Sequence, residues 1–164
     1  MLDEDQRYMS YALREAERAM EIGEVPIGCV IVCDGQIVGK AHNQRELLQD
    51  PTAHAEIIAI TQAAAHYKSW RLEGAKLYVT LEPCAMCAGA IILARIAEVY
   101  FGAHDPKAGV CGSLMNLLED TRFNHNPKLF PGLMAKECGA LLSGFFRRIR
   151  EDASSHPNPG PNRN

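Results

Sequence analysis

Two short stretches hold the side chains best suited to chemistry. His54-Ala55-Glu56 sets an imidazole and a carboxylate two positions apart, and Pro83-Cys84-Ala85-Met86-Cys87 sets two thiols three positions apart. One imidazole and two thiolates make three protein ligands for a tetrahedral zinc, which leaves one coordination position open for water. A structural site is closed by a fourth ligand. His42, His104, Cys111 and Cys138 are the remaining candidates, and none stands at a finger-like spacing. The open reading is a catalytic one, in which zinc lowers the pKa of bound water to about 7. Glu56, which is not needed as a ligand, then carries the proton.

Each half of this pattern must be positioned by a helix start. Apolar residues recur at three- and four-residue spacing from Asp3 to Ile22, which predicts an amphipathic helix ended by Gly23. Ile27 to Val32 and Gln36 to Ala41 read as a β-hairpin around Asp34-Gly35. Asp50-Pro51 reads as a cap and first turn of a helix running through His54 to about Tyr67. Lys76 to Leu81 reads as a buried strand, Pro83 as the start of a largely buried helix through Ala94, and Ala97 to Gly102 as the next strand. That succession implies a parallel pair with a right-handed crossover. Further on, the pattern predicts a short helix near Leu114 to Leu118, a loop from Asn124 to Pro131 and a last helix from about Glu137 to Arg150. The expected architecture is α/β, a mixed sheet covered by helices. One point stays open: residues two apart lie on opposite sides of a regular helix, so the spacing of His54 and Glu56 alone does not aim both at one metal.

At 164 residues the chain is sized for one domain, expected over 1–152, with 153–164 as a tail too polar to order. No apolar run reaches the roughly 18 residues of a membrane span, and the amino terminus lacks a secretory pattern. A cytoplasmic address and no membrane partner are expected. In a reducing compartment Cys29, Cys33, Cys111 and Cys138 read as small buried hydrophobes rather than disulfides. The net charge of -3 argues against nonspecific coating of nucleic acid. Residues 105–164 nevertheless carry eight Lys or Arg against six acids, so the late part of the chain can meet a polyanion.

HxE followed by PCxxC is the signature of the zinc nucleobase deaminases. The resemblance narrows further, over roughly residues 6 to 150, to the bacterial tRNA-specific adenosine deaminases. It rests on Gly23 to Gly28, Asn43, Asp50 to Glu56, Leu77 to Ala90, and Phe101-Gly102-Ala103 with Asp105, Lys107, Gly109, Gly112 and Ser113. It implies a three-layer α/β/α sandwich with a five-stranded mixed sheet, cytidine deaminase-like, in a homodimer with one Zn2+ per subunit. It also implies hydrolysis of the wobble adenosine (position 34) of a tRNA anticodon loop to inosine, in an arginine tRNA.

By the same resemblance Asn43 touches the flipped nucleotide, Pro26, Ile27 and Gly28 line the base pocket, and Asp105 and Lys107 lie beside the RNA. By residue type alone Asn43 is an end-of-strand turn residue and Asp105-Pro106 an ordinary turn. Phe145-Phe146-Arg147-Arg148-Ile149-Arg150 joins rings for stacking on splayed bases with guanidinium groups for phosphates. Arginines in a last helical turn also complement the helix dipole. The resemblance favours RNA contact by Phe145, Arg147, Arg148 and Arg150, with one Phe packed inside. Two rivals remain: a deaminase of a free base or nucleoside on the same scaffold, and a zinc-stabilised RNA-binding module in which Glu56 is a surface carboxylate.

Overall fold

A computed structural model of the chain describes residues 1–156. Helix α1 (Glu4–Glu21) starts with a reciprocal cap, Asp3 accepting from the Gln6 N–H and Gln6 from the Asp3 N–H, and ends where Gly23 takes a left-handed conformation. Strands β1 (Gly28–Cys33) and β2 (Gln36–His42) form the expected hairpin, with Asp34 and Gly35 both at positive φ in the turn. After α2 (Arg45–Leu48) come α3 (Ala55–Tyr67), β3 (Lys76–Leu81), α4 (Ala85–Ala94), β4 (Glu98–Ala103), β5 (Lys128–Pro131) and α5 (Ala135–Ser155).

The five strands form one sheet in the order β2-β1-β3-β4-β5. β1 is antiparallel to both neighbours, while β3, β4 and β5 run parallel. Helices α1 and α5 pack on one face, and α3 and α4 on the other. Strand alternation divides the core between the faces. Ile31, Leu77, Val79, Val99 and Phe101 point to α3 and α4, whereas Val30, Val32, Tyr78 and Tyr100 point to α1 and α5. On the second face Tyr8, Tyr78, Tyr100 and Phe130 stack in a row, with successive ring centroids 5.3, 4.6 and 4.5 Å apart. This is the α/β/α sandwich expected.

The hairpin is pressed hard onto α1. A β-carbon on Gly28 would lie 1.9 Å from the Ala12 carbonyl oxygen and 2.6 Å from the Ala16 nitrogen, so no larger residue fits.

Four expectations are corrected. The helix expected from Asp50-Pro51 starts only at Ala55, because the Asp50 carboxylate instead takes the Thr52 N–H and hydroxyl in a tight turn. The short helix α2 was not anticipated. No helix forms at Leu114–Leu118: the Gly112 N–H donates to the Met115 carbonyl and the Leu117 N–H to Val110, closing a turn. The loop through Asn124 to Pro131 contains β5, an exposed edge strand with little apolar signature. The last helix also runs on to Ser155, so Ala153, Ser154 and Ser155 of the expected tail are helical, and residues 157–164 lie outside the described residues.

Candidate active site

The first turns of α3 and α4 come together beyond the carboxyl end of β3. His54 and Cys84 are the N-cap residues of these helices, both extended (φ -77°, ψ 152° and φ -77°, ψ 176°), and neither side chain caps its own helix. Both are thereby free to turn toward a common point. His54 Nδ1 lies 3.6 Å from the sulfur of Cys84 and 3.6 Å from that of Cys87. All three ligand atoms fall within 4.8 Å of one another. Bonds of about 2.0–2.1 Å to nitrogen and 2.3 Å to sulfur at a tetrahedral angle place N and S roughly 3.6 Å apart. The donor set and its spacing therefore fit a tetrahedral metal ion with a fourth position open.

The question left by the spacing of His54 and Glu56 resolves at the cap. His54 precedes the helix in extended backbone while Glu56 belongs to the first turn, so the two are not a helical pair and both line the same cavity. Glu56 is only 4% exposed. Burial raises its carboxyl above the usual range. Hydrogen bonds from Cys87 and His54 hold the Cys84 thiol down to about 4, and Cys87, beside that thiolate, is pushed far up.

Above these groups opens a cavity of about 520 Å³. Its walls come from several parts of the fold: Val25, Ile27 and Asn43 from the segments flanking the hairpin, Arg45 from α2, Leu81 and Glu82 from the end of β3 and the residue after it, His104 to Ala108 from the loop after β4, and Leu142 and Phe146 from α5. Asn43, 5% exposed, lines the cavity and also caps α2, its Oδ1 accepting from the Arg45 N–H at 3.1 Å and its amide donating to Val25. The turn role read from residue type is thus met by these two bonds, and the amide keeps one further hydrogen to offer. Asp105 folds its loop by accepting from the N–H groups of Lys107 and Ala108.

Not every expected contact faces the cavity. Of Pro26, Ile27 and Gly28 only Ile27 lines it, while Pro26 and Gly28 are buried, Gly28 under α1. Phe145 is buried at 8% exposure, and Phe146, 44% exposed, takes the place at the cavity wall. Adjacent helical residues differ by about 100° in direction, so only one of the two rings can face each way. From Phe146, Arg150 continues the same face of α5 one turn on. Arg148 points elsewhere, its guanidinium donating to the Met20 sulfur at 3.4 Å. Arg147 is exposed off the cavity lining.

Phe145→Ala is expected to cost about 3–5 kcal/mol of stability, as for other buried phenylalanines. Phe146→Ala should leave the melting temperature within a few degrees; a larger drop for Phe146 than for Phe145 in thermal unfolding would reverse this assignment.

Sequence reasoning missed Glu82, His104, Leu142 and Phe146. Glu82 alone carried a signal, an acid closing an otherwise apolar strand directly before Pro83-Cys84.

Comparison with known proteins accords with this geometry. The profile of the MafB19-like deaminases matches residues 3–150. The tRNA-specific adenosine deaminase of Bacillus subtilis (strain 168) is 53% identical over 150 residues, covering 92% of this chain and 93% of that protein. A solved structure from a study of A-to-I editing by tRNA:A34 deaminases at the wobble position of transfer RNA superposes with a TM-score of 0.80 at 45% identity, over 83% of this chain and 99% of the other. Guanine deaminase from Nitrosomonas europaea shares the fold, with a TM-score of 0.77 at 20% identity over 88% of this chain and 86% of the other. With its profile match and this degree of identity, the chain belongs to the MafB19-like deaminases and, among them, to the bacterial tRNA-specific adenosine deaminases.

Proposed function

We infer that the chain is a hydrolytic deaminase that converts adenosine to inosine at the wobble position (34) of a tRNA anticodon loop. The observation that carries this reading is the 53% identity to a tRNA-specific adenosine deaminase over 92% of the chain. The site geometry supports the reaction class. His54, Cys84 and Cys87 would hold one Zn2+, which when bound supplies a water acidic enough to act as nucleophile at neutral pH.

The remaining work falls to the chain's own residues. Glu56, buried and beside the ligands, accepts one proton of the attacking water and passes it to a ring nitrogen, then takes the remaining proton of the added hydroxyl and delivers it to the amino group, which leaves as ammonia while the carbonyl forms. A base entering a cavity of about 520 Å³ must leave its stack, and Ile27, Leu142 and Phe146 offer it an apolar surround. In this reading Asn43 donates to the flipped nucleotide, and Asp105 and Lys107 meet the flanking RNA; that all three line the cavity supports it. Arg150, on the Phe146 face of α5, and Arg147 beside it extend this surface toward phosphate.

The arginine tRNA, the homodimer and the cytoplasmic address are part of the same proposal. All six cysteines are free thiols, in keeping with a reducing compartment. Leu47 and Leu48 on α2 and Leu93 on α4 are exposed apolar side chains of the sort a second copy would cover. Among the described residues no helix is long and apolar enough to cross a membrane.

The test offers the purified chain an anticodon stem-loop of an arginine tRNA and, separately, free guanine and free adenosine. Inosine at position 34 is expected. Ammonia released from guanine, with no inosine in the RNA, would overturn the substrate assignment in favour of a free-base enzyme.

A further inference from the structure

We propose that Glu82 is a positioning residue for substrate binding, which holds the segment 104–113 in the shape that forms one rim of the cavity. The proposal rests on the reading of that cavity as the RNA site.

Glu82 directly follows β3, two residues before Cys84, and its side chain is entirely shielded from solvent. One carboxylate oxygen accepts from the Asp105 N–H at 3.0 Å, from His104 Nδ1 at 3.2 Å and from the Ser113 hydroxyl. The other accepts from the N–H groups of Cys111 at 3.0 Å and Ser113 at 3.1 Å. A carboxylate offers about four lone-pair directions, and five donors occupy them. Burial works against the charge, but the Ser113 hydroxyl and the three N–H groups outweigh it and hold the carboxyl below its usual range.

The donors all come from one segment that contains neither helix nor regular strand. Its path depends on this carboxylate. Gly109 passes so close that a β-carbon there would lie 2.3 Å from the Glu82 carboxyl carbon, and the Val110 N–H donates to Pro83 just beyond. The same segment supplies His104 to Ala108 to the cavity wall. Glu82 thus ties the rim to the strand end that leads into Cys84 and Cys87. With every oxygen already accepting, it has no place in proton transfer. Its neighbour Glu56 is the opposite case, a buried acid raised rather than lowered.

Glu82→Gln swaps one acceptor oxygen for an NH2 group that faces N–H donors. In the zinc-loaded chain this variant should keep about one zinc per chain and exchange the amide hydrogens of 105, 111 and 113 faster than wild type, with β1 unchanged. On an anticodon stem-loop, KM should rise about tenfold or more while kcat stays within about threefold, as when binding common to ground and transition state is lost. Ser113→Ala removes one of the five contacts, the hydroxyl's, and should move KM in the same direction by less, which keeps the test open if Glu82→Gln does not fold. Unchanged KM and unchanged exchange at 105, 111 and 113, or a loss of kcat alone, would overturn the proposal. If wild type makes no inosine in the RNA, the substrate reading fails by itself, and the exchange measurement still decides the role of Glu82 in holding the rim.

Discussion

Glu56→Gln should fold, bind about one zinc per chain and form inosine ~10²–10⁴-fold more slowly than wild type, the usual worth of a positioned acid-base group. The substitution keeps the shape of the side chain and removes its ability to take and return a proton. Burial already opposes ionisation at this position, so the neutral amide brings no new desolvation cost and stability should hold. Zinc should stay because the ligand atoms are those of His54, Cys84 and Cys87. Single-turnover deamination with elemental analysis of the same sample checks both halves. A rate within a few-fold of wild type would remove Glu56 from proton transfer, and a variant without zinc would make it a ligand.

Cys87→Ala should lose the metal and, with it, all measurable turnover. Two ligands remain, and both, His54 and Cys84, sit at helix N-caps without making a capping bond of their own. Binding to the native state alone stabilises by about 4 kcal/mol when the free ion is a thousandfold above its dissociation constant. Removing zinc from wild type with a chelator should therefore lower its melting temperature by ~10 °C, at about 2–4 °C per kcal/mol for a domain of this size. The Cys87→Ala protein should start near that lower temperature and ignore the chelator. Full zinc content in the variant would show that the open site has another ligand.

How far the sequence reveals this molecule depends on which forces each segment answers to. β3 is legible over its observed span because Leu77, Tyr78, Val79, Thr80 and Leu81 make a short run rich in β-branched and aromatic residues, bounded by Gly74 and Pro83. β5 is not: an exposed edge strand carries no alternation, and its place follows from pairing with β4. The ligand set His54, Cys84 and Cys87 is legible by type and spacing, since few other chemistries use them together. The direction of Glu56 is not, because it depends on whether His54 stands inside the helix or just before it. Asp50 forming a turn with Thr52 settles that, and such local competition leaves little mark in the pattern. Phe145 and Phe146 are equal in composition and are separated only by helical phase. Glu82 is the hardest case, because its donors stand 22 to 31 residues further on and meet it only once β4 has paired.

The close seat of Gly28 beneath α1 gives the molecule a lever. The wall that carries Ile27 and Asn43 is an extension of β1 and β2, and β1 rests directly on the backbone of Ala12 and Ala16. Those two alanines are wholly buried, on the far side of the sheet from α3 and α4. Added bulk there should press on the hairpin, and because β1 and β2 carry α3 on their other face, with Gly39 seated against the backbone of Ala59, the push should reach the helix start that holds His54. The outer layer is therefore mechanically joined to the chemistry, and an engineer who alters it for a larger or smaller guest should expect to move a metal ligand as well.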